Sequence, residues 1–182
     1  MNIDIFLQNL KKHGIENEIP NISEVNAIFL RDLIKIKKAR NMLEIGTANW
    51  YSTIHFALEL KNIWGKITTI EFSKLSYDTA LENFKIAWVS PIINAINGNA
   101  LDVIPSLGEK YDFVFIDGMK RRTKDFLELV RNKVEEGWII IIDDVIKFRE
   151  KMIWFWEYLE DNKIKYNTIP IDVDDGIVMI VK

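Results

Sequence analysis

Short β-branched runs alternate with stretches of helical period along almost the whole chain, and this alternation constrains the fold more than any other feature. It predicts a parallel sheet covered by helices on both faces. Strands are expected at 41–45, 66–71, 92–96, 111–117, 138–143, 166–171 and 177–181, the central ones buried on both sides. Helical patterns open after Ser23, Ser52 and Ser73, each a good cap. Two further helices are expected over 122–134 and 147–162, and a first over 3–13, stopped by Gly14. Only Asp172 to Gly176 separates the last two strands, too short for a helical crossover, so they should pair as an antiparallel hairpin.

With 182 residues and no segment rich in Pro, Gly or Ser, the chain reads as one domain, burying roughly 70% of its unfolded surface. Residues 1–40 supply N-terminal helices and a lid, and 41–182 the core. The absence of cysteine excludes disulfides, thiolate zinc sites and a cysteine nucleophile, so any metal must take oxygen ligands or His13 and His55. The longest aliphatic run, Ile139 to Ile142, is too short to span a bilayer, and the N-terminus lacks the pattern of a signal peptide. A cytoplasmic protein that does not enter membranes is the expectation. A net charge of −3 argues against a wholly basic nucleic-acid surface but leaves room for a basic patch.

Ligands of open α/β sheets bind beyond the carboxyl ends of the strands. The first strand runs into Leu43-Glu44-Ile45-Gly46-Thr47-Ala48-Asn49, where Gly46 frees backbone N–H groups before a helix N-terminus suited to an anion. Glu71 ends the second strand 25 residues after Gly46, where an acidic side chain commonly accepts ribose hydroxyls. Ala48 and Tyr51 occupy the later glycine positions of the dinucleotide fingerprint, so a nucleoside with a small charged tail fits better than a pyrophosphate. A plain tight turn is the alternative. The fourth strand ends in Asp117-Gly118-Met119-Lys120 and the fifth in Asp143-Asp144. Side by side, Asp117, Asp143 and Asp144 form a cluster of hard oxygen ligands suited to Mg²⁺, unless Asp117 and Asp143 merely cap helices.

These segments, with Thr69-Ile70-Glu71 and Gly98-Asn99-Ala100, make the sequence from about Ser23 onward resemble the class I S-adenosylmethionine-dependent methyltransferases. The match is to the metal-dependent O-methyltransferases that include the catechol and caffeoyl-CoA enzymes and their bacterial relatives. The resemblance implies a Rossmann-like, doubly wound, mostly parallel seven-stranded sheet with a C-terminal antiparallel hairpin. It implies S-adenosylmethionine and Mg²⁺ or another divalent cation as cofactors. Gly46 and Ser52 would stand at the methionine end, Glu71 at the ribose, Asn99 and Ala100 at the adenine, with Glu44, Thr47 and Asp117 also touching the cofactor. Asp117, Asp143 and Asp144 would hold the metal, and Lys120 would be the general base, with Asp117 beside it as a catalytic residue. The implied acceptor is a small hydroxylated aromatic, and a homodimer is implied. A hydroxyuridine of tRNA is a second acceptor, as in some bacterial relatives.

The sequence departs from the family's pattern at several places. Asp144 stands where many relatives have Asn, and Thr123 where many have Tyr. Trp50, Trp88 and Trp138 fall on positions where relatives carry glycine, and Trp64 is a fourth such case. Drift explains them if indoles are tolerated there; a source that decodes UGA as glycine explains them otherwise. An indole at Trp50 would need room beside the cofactor's tail, so a non-catalytic binding protein is one competing reading. A dinucleotide oxidoreductase is another. The run Lys120, Arg121, Arg122, Lys124 and the group Lys147, Arg149, Lys151 are either solvated faces or an attraction for an anionic acceptor. His55 is expected to pack or cap, and His13 to meet a helix dipole. The Ile153 to Leu159 cluster is too apolar for one helix face, so it could also form a dimer surface.

Overall fold

The computed structural model describes residues 2–48 and 50–182, so Met1 and Asn49 of the first turn lie outside the described residues. Two helices lead the chain, α1 (Ile3–Glu16) and α2 (Glu24–Lys37). There follow β1 (Asn41–Ile45), α3 (Tyr51–Asn62), β2 (Lys66–Glu71), α4 (Lys74–Ile86), β3 (Ile93–Asn97) and α5 (Ala100–Ser106). The second half contains β4 (Tyr111–Ile116), α6 (Thr123–Val130), β5 (Val134–Ile142), α7 (Ile153–Asp161), β6 (Asn167–Pro170) and β7 (Gly176–Val181).

The seven strands form one sheet in the order β3-β2-β1-β4-β5-β7-β6. The first five pair in parallel, while β7 runs antiparallel to both β5 and β6. Alternation along each buried strand divides the core. Met42, Phe113, Phe115 and Ile141 point to the face covered by α2 and α3, whereas Leu43, Val114, Ile116, Ile140 and Ile142 point to the face covered by α5, α6 and α7. Strand order reverses between β1 and β4, and that crevice is where such a sheet offers a ligand site.

Several boundaries differ from the expectation. The first helix continues through Gly14, which is buried, to Glu16, because a glycine inside a packed turn weakens a helix without ending it. Ser52 lies inside α3 and is not its cap; Trp50 takes that position in left-handed conformation. The sixth helix ends at Val130, and β5 starts four residues later, where its register against β4 shifts between Tyr111 and Phe113. The seventh is shorter than expected, preceded by a 3₁₀ turn over Arg149–Met152. Its aromatics divide by face: Phe155, Trp156 and Leu159 are buried, Ile153 and Trp154 exposed. No helix among the described residues is long and apolar enough to cross a membrane.

Candidate active site

The carboxyl ends of β1, β2, β4 and β5 open into two cavities. One, of about 480 Å³, is lined by Gly46, Glu71, Phe72, Asn99, Ala100 and Phe126 among others. The other, of about 720 Å³, lies between the Asp117–Arg121 and Asp143–Lys151 segments and a wall made by Gly14 to Ile22. Ala48, Asp117, Gly118 and Met119 line both. The end of β4 is therefore a partition with a binding space on each side.

Gly46 is required for a backbone reason. It has φ +90°, and a Cβ there would lie 2.6 Å from the Asp117 carbonyl oxygen. The turn after β1 thus presses on the end of β4, a closer cause than ligand approach. Glu71 faces the smaller cavity with its carboxylate held by backbone: Oε2 accepts from Thr47 N at 3.0 Å and Ala48 N at 3.1 Å, and Oε1 from Ser73 N at 2.7 Å. Asn99 caps α5, its side chain accepting from Leu101 N at 3.1 Å.

Three of the expected cofactor residues are placed elsewhere. Glu44 is wholly buried and accepts hydroxyl bonds from Ser52 at 2.7 Å, Thr53 at 2.5 Å and Thr69 at 2.7 Å. Thr47 bonds to Thr69 at 2.6 Å. Glu44, Thr47 and Ser52 form a clamp behind the turn, joining β1, α3 and β2, and line neither cavity. Burial pushes the Glu44 carboxyl up to about 7, against the lowering effect of its hydroxyl donors. Trp50 also stays out of both cavities: its indole is buried in the core and donates to Ser76 O at 2.8 Å. The steric objection to cofactor binding at that position therefore falls away.

On the other side of the partition, Lys120 Nζ donates to Asp117 Oδ1 at 2.6 Å and pairs with Asp144 Oδ2 at 2.9 Å. Burial would lower the lysine, but these two carboxylates outweigh it and hold Lys120 firmly as an ammonium. Asp143 is buried, accepts from Asn26 Nδ2 of α2 at 3.0 Å, and is pushed well above the usual carboxylate range by burial and by Asp117 and Asp144. Burial likewise raises Asp117, with Asp144 adding to it. Asp175 of the β6–β7 turn is raised by burial and lies close enough to act on Asp117 and Asp144. Asp144 itself has φ 60°, a left-handed conformation that Asp and Asn enter more readily than other side chains.

One ammonium thus faces several carboxylates. The donor chemistry fits a hard divalent cation: all oxygens, excess negative charge, and beside Asp143 an Asn26 Oδ1 that is buried with no hydrogen-bond partner among the described residues. The positions do not yet form a metal cage, for among the described residues no three His, Cys, Asp or Glu side chains gather as a metal would need. Lys120 fills the space between Asp117 and Asp144. Asn26 and Asp175 were missed by sequence reasoning, since nothing local marks a residue 117 positions from Asp143 as its partner. Phe72 and Phe126 were missed too, although Phe72 directly follows Glu71.

An open sheet of this order, with a cleft at the β1/β4 reversal, defines a Rossmann-like methyltransferase fold. The O-methyltransferase from Bacillus cereus, solved in complex with SAH, matches it with a TM-score of 0.86 at 26% identity, over 97% of this chain and 90% of that one. The O-methyltransferase family profile matches residues 2–182, and the chain belongs to that family. Tapetum-specific methyltransferase 1 of Arabidopsis thaliana is 37% identical over 137 residues, 70% of this chain and 58% of the relative. Catechol O-methyltransferase of Mycobacterium tuberculosis is 32% identical over 133 residues, 71% and 60% respectively. The chain spans about three fifths of the length of these curated relatives.

Proposed function

We propose that the chain transfers a methyl group from S-adenosylmethionine to a hydroxyl of a small aromatic, catechol-like acceptor, with a divalent cation such as Mg²⁺ assisting. The observation that carries this reading is the shared partition: a donor in the Glu71 cavity and an acceptor in the Lys120 cavity meet across Ala48, Asp117, Gly118 and Met119. Glu71, oriented by three backbone N–H groups, offers its remaining acceptor capacity to ribose hydroxyls. Ile70, Phe72, Ala100, Leu101 and Phe126 supply apolar surface for a base. The cofactor, when bound, supplies an electrophilic methyl on a sulfonium.

Asp117, Asp143 and Asp144 are the residues that would hold the cation, which supplies polarisation of the acceptor hydroxyl. Lys120 Nζ holds a proton in this structure through Asp117 and Asp144. Weakening those two pairings frees the amine to take the acceptor's proton, so the base role of Lys120 depends on another positive charge serving the carboxylates. At the mouth, Arg121, Lys147 and Lys151 form no ion pair among the described residues, and they favour an acceptor with a carboxylate or phosphate opposite its hydroxyl.

The test is calorimetric titration of S-adenosylhomocysteine, then methyl transfer from labelled S-adenosylmethionine to a panel of catechols, carboxylated catechols and hydroxylated tRNA, with Mg²⁺ or with chelator. Micromolar binding and transfer to carboxylated catechols, abolished by chelator and by Lys120→Met, is the expected result. Binding without transfer to any aromatic hydroxyl refutes the acceptor class, transfer to tRNA alone replaces it, and full transfer by Asp143→Ala in chelator refutes the cation.

A further inference from the structure

Half of the chain's six tryptophans adopt a backbone conformation that suits glycine: Trp50, Trp64 and Trp88 have φ of 74°, 59° and 58°. Among the described residues, five other non-glycine residues do so, Glu18, Lys38, Ala48, Asp144 and Lys163, about 3% of the rest and the ordinary rate for L residues. At that rate, three among six tryptophans would arise in roughly one chain in 2,000.

The positions are as telling as the angles. Trp64 follows the C-cap of α3, with Trp64 N donating to Lys61 O at 3.4 Å and Gly65 N to Leu60 O at 2.8 Å. Trp88 follows the C-cap of α4, with Trp88 N donating to Lys85 O and Val89 N to Phe84 O, both at 3.1 Å. Both are Schellman closures, and the residue at that left-handed position is usually glycine. The indoles of Trp64 and Trp88 are 90% and 77% exposed, so packing does not compensate for the conformation. Trp50 opens α3 as a left-handed N-cap with no side-chain cap bond, two residues past Ala48 of the cavity partition. By contrast, Trp138 in β5 and Trp154 and Trp156 in α7 take no positive φ. The backbone therefore gives no ground for glycine at Trp138, where the family pattern had pointed to one.

We infer that the natural polypeptide carries glycine at positions 50, 64 and 88, encoded by UGA codons that its source cell decodes as glycine. The functional consequence falls on the cavity partition: position 50 then lacks the indole whose bond to Ser76 O ties this turn to α4. This inference does not depend on the reaction proposed above.

Each position falls on its own tryptic peptide, 41–61, 62–66 and 86–110, while Trp154 and Trp156 share 152–163. Peptide mass spectrometry of the protein isolated from its source should find glycine in the first three and tryptophan retained in the last. Tryptophan at any of 50, 64 or 88 overturns the inference. In a recombinant chain, the double variant Trp64→Gly, Trp88→Gly should melt about 4 °C or more above the parent, because two left-handed side chains are relieved without opening a cavity. An unchanged or lower melting temperature overturns the stereochemical ground.

Discussion

Glu44 and His55 should oppose each other in the pH dependence of stability over nearly the same range. His55 is buried against Tyr51, ring centroids 4.5 Å apart, with neither ring nitrogen hydrogen-bonded among the described residues. Burial, helped by Arg31 and Lys11, lowers it from 6.5 to about 4, whereas burial raises Glu44 from 4.5 to about 7. The folded state keeps the Glu44 proton after the unfolded chain has lost it. Its stabilising share is therefore complete below pH ~4.5 and disappears as pH rises through ~7. The folded state refuses the His55 proton that the unfolded chain accepts, so that share is complete above pH ~6.5 and disappears as pH falls through ~4. Each is worth about 3 kcal/mol, and between pH ~4.5 and ~6.5 the slopes, about 1.4 kcal/mol per pH unit, cancel. Glu44→Gln removes one of them. Urea unfolding at several pH values should then show a variant whose stability, relative to wild type, gains about 3 kcal/mol from pH ~4.5 to ~6.5. His55→Phe should show the mirror image. Differences from wild type cancel the shared contribution of Asp117, Asp143 and Asp175. A Glu44→Gln difference that does not vary with pH would mean that three hydroxyl donors keep Glu44 ionised throughout, and would refute the reasoning.

Two further substitutions test the scaffold. Gly46→Ala puts a Cβ 2.6 Å from the Asp117 carbonyl oxygen at φ +90°, and should cost about 3 kcal/mol in urea unfolding and weaken S-adenosylhomocysteine binding by moving the partition. Arg31→Met strips Glu59, 5% exposed, of the guanidinium that pins α2 to α3, leaving among the described residues only Lys35 at 3.5 Å. The expected loss is about 2 kcal/mol, moderated because Arg31 is 30% exposed, and Glu59→Leu in the same chain should recover most of it.

The parts of the fold legible in the sequence are those where local pattern and tertiary position agree. Strands β1, β2 and β4 carry runs of aliphatic, β-branched and aromatic residues because both faces are buried, so their ends, and hence Gly46, Glu71 and Asp117, could be placed directly. The start of β5 could not, since Leu127, Val130 and Val134 continue a helical period that Lys133 N interrupts by bonding to Val130 O at 2.8 Å. The short α5, seven residues containing Pro105, has too little length to display a period. Ser52 shows how a local signal can mislead. A serine ahead of an apolar helix signals a cap, but here the buried Glu44 carboxylate takes its hydroxyl, and the cap position moves to Trp50.

The acidic end of the sheet shows why strand-end arithmetic finds neighbouring carboxyl groups but not their charge state. Parallel strands β4 and β5 stop in register, with Ile116 beside Ile142, so the Asp117 and Asp143 that follow must be neighbours. Their burial comes from elsewhere: α2 contributes Asn26, and the turn between β6 and β7 contributes Asp175. Carboxylates so confined can shed their repulsion by taking up protons or by facing a positive charge, and Lys120 supplies one such charge to Asp117 and Asp144. Asp143, whose backbone O accepts from Lys120 Nζ at 3.4 Å, is lowered by the same charge, but its burial and the neighbouring Asp117 and Asp144 outweigh it and hold its carboxyl well above the usual range. On the proposed reading, any affinity of this cluster for a cation and the basicity of Lys120 are therefore one linked quantity. Whatever positive charge the carboxylates accept in place of the ammonium loosens the proton that Lys120 holds.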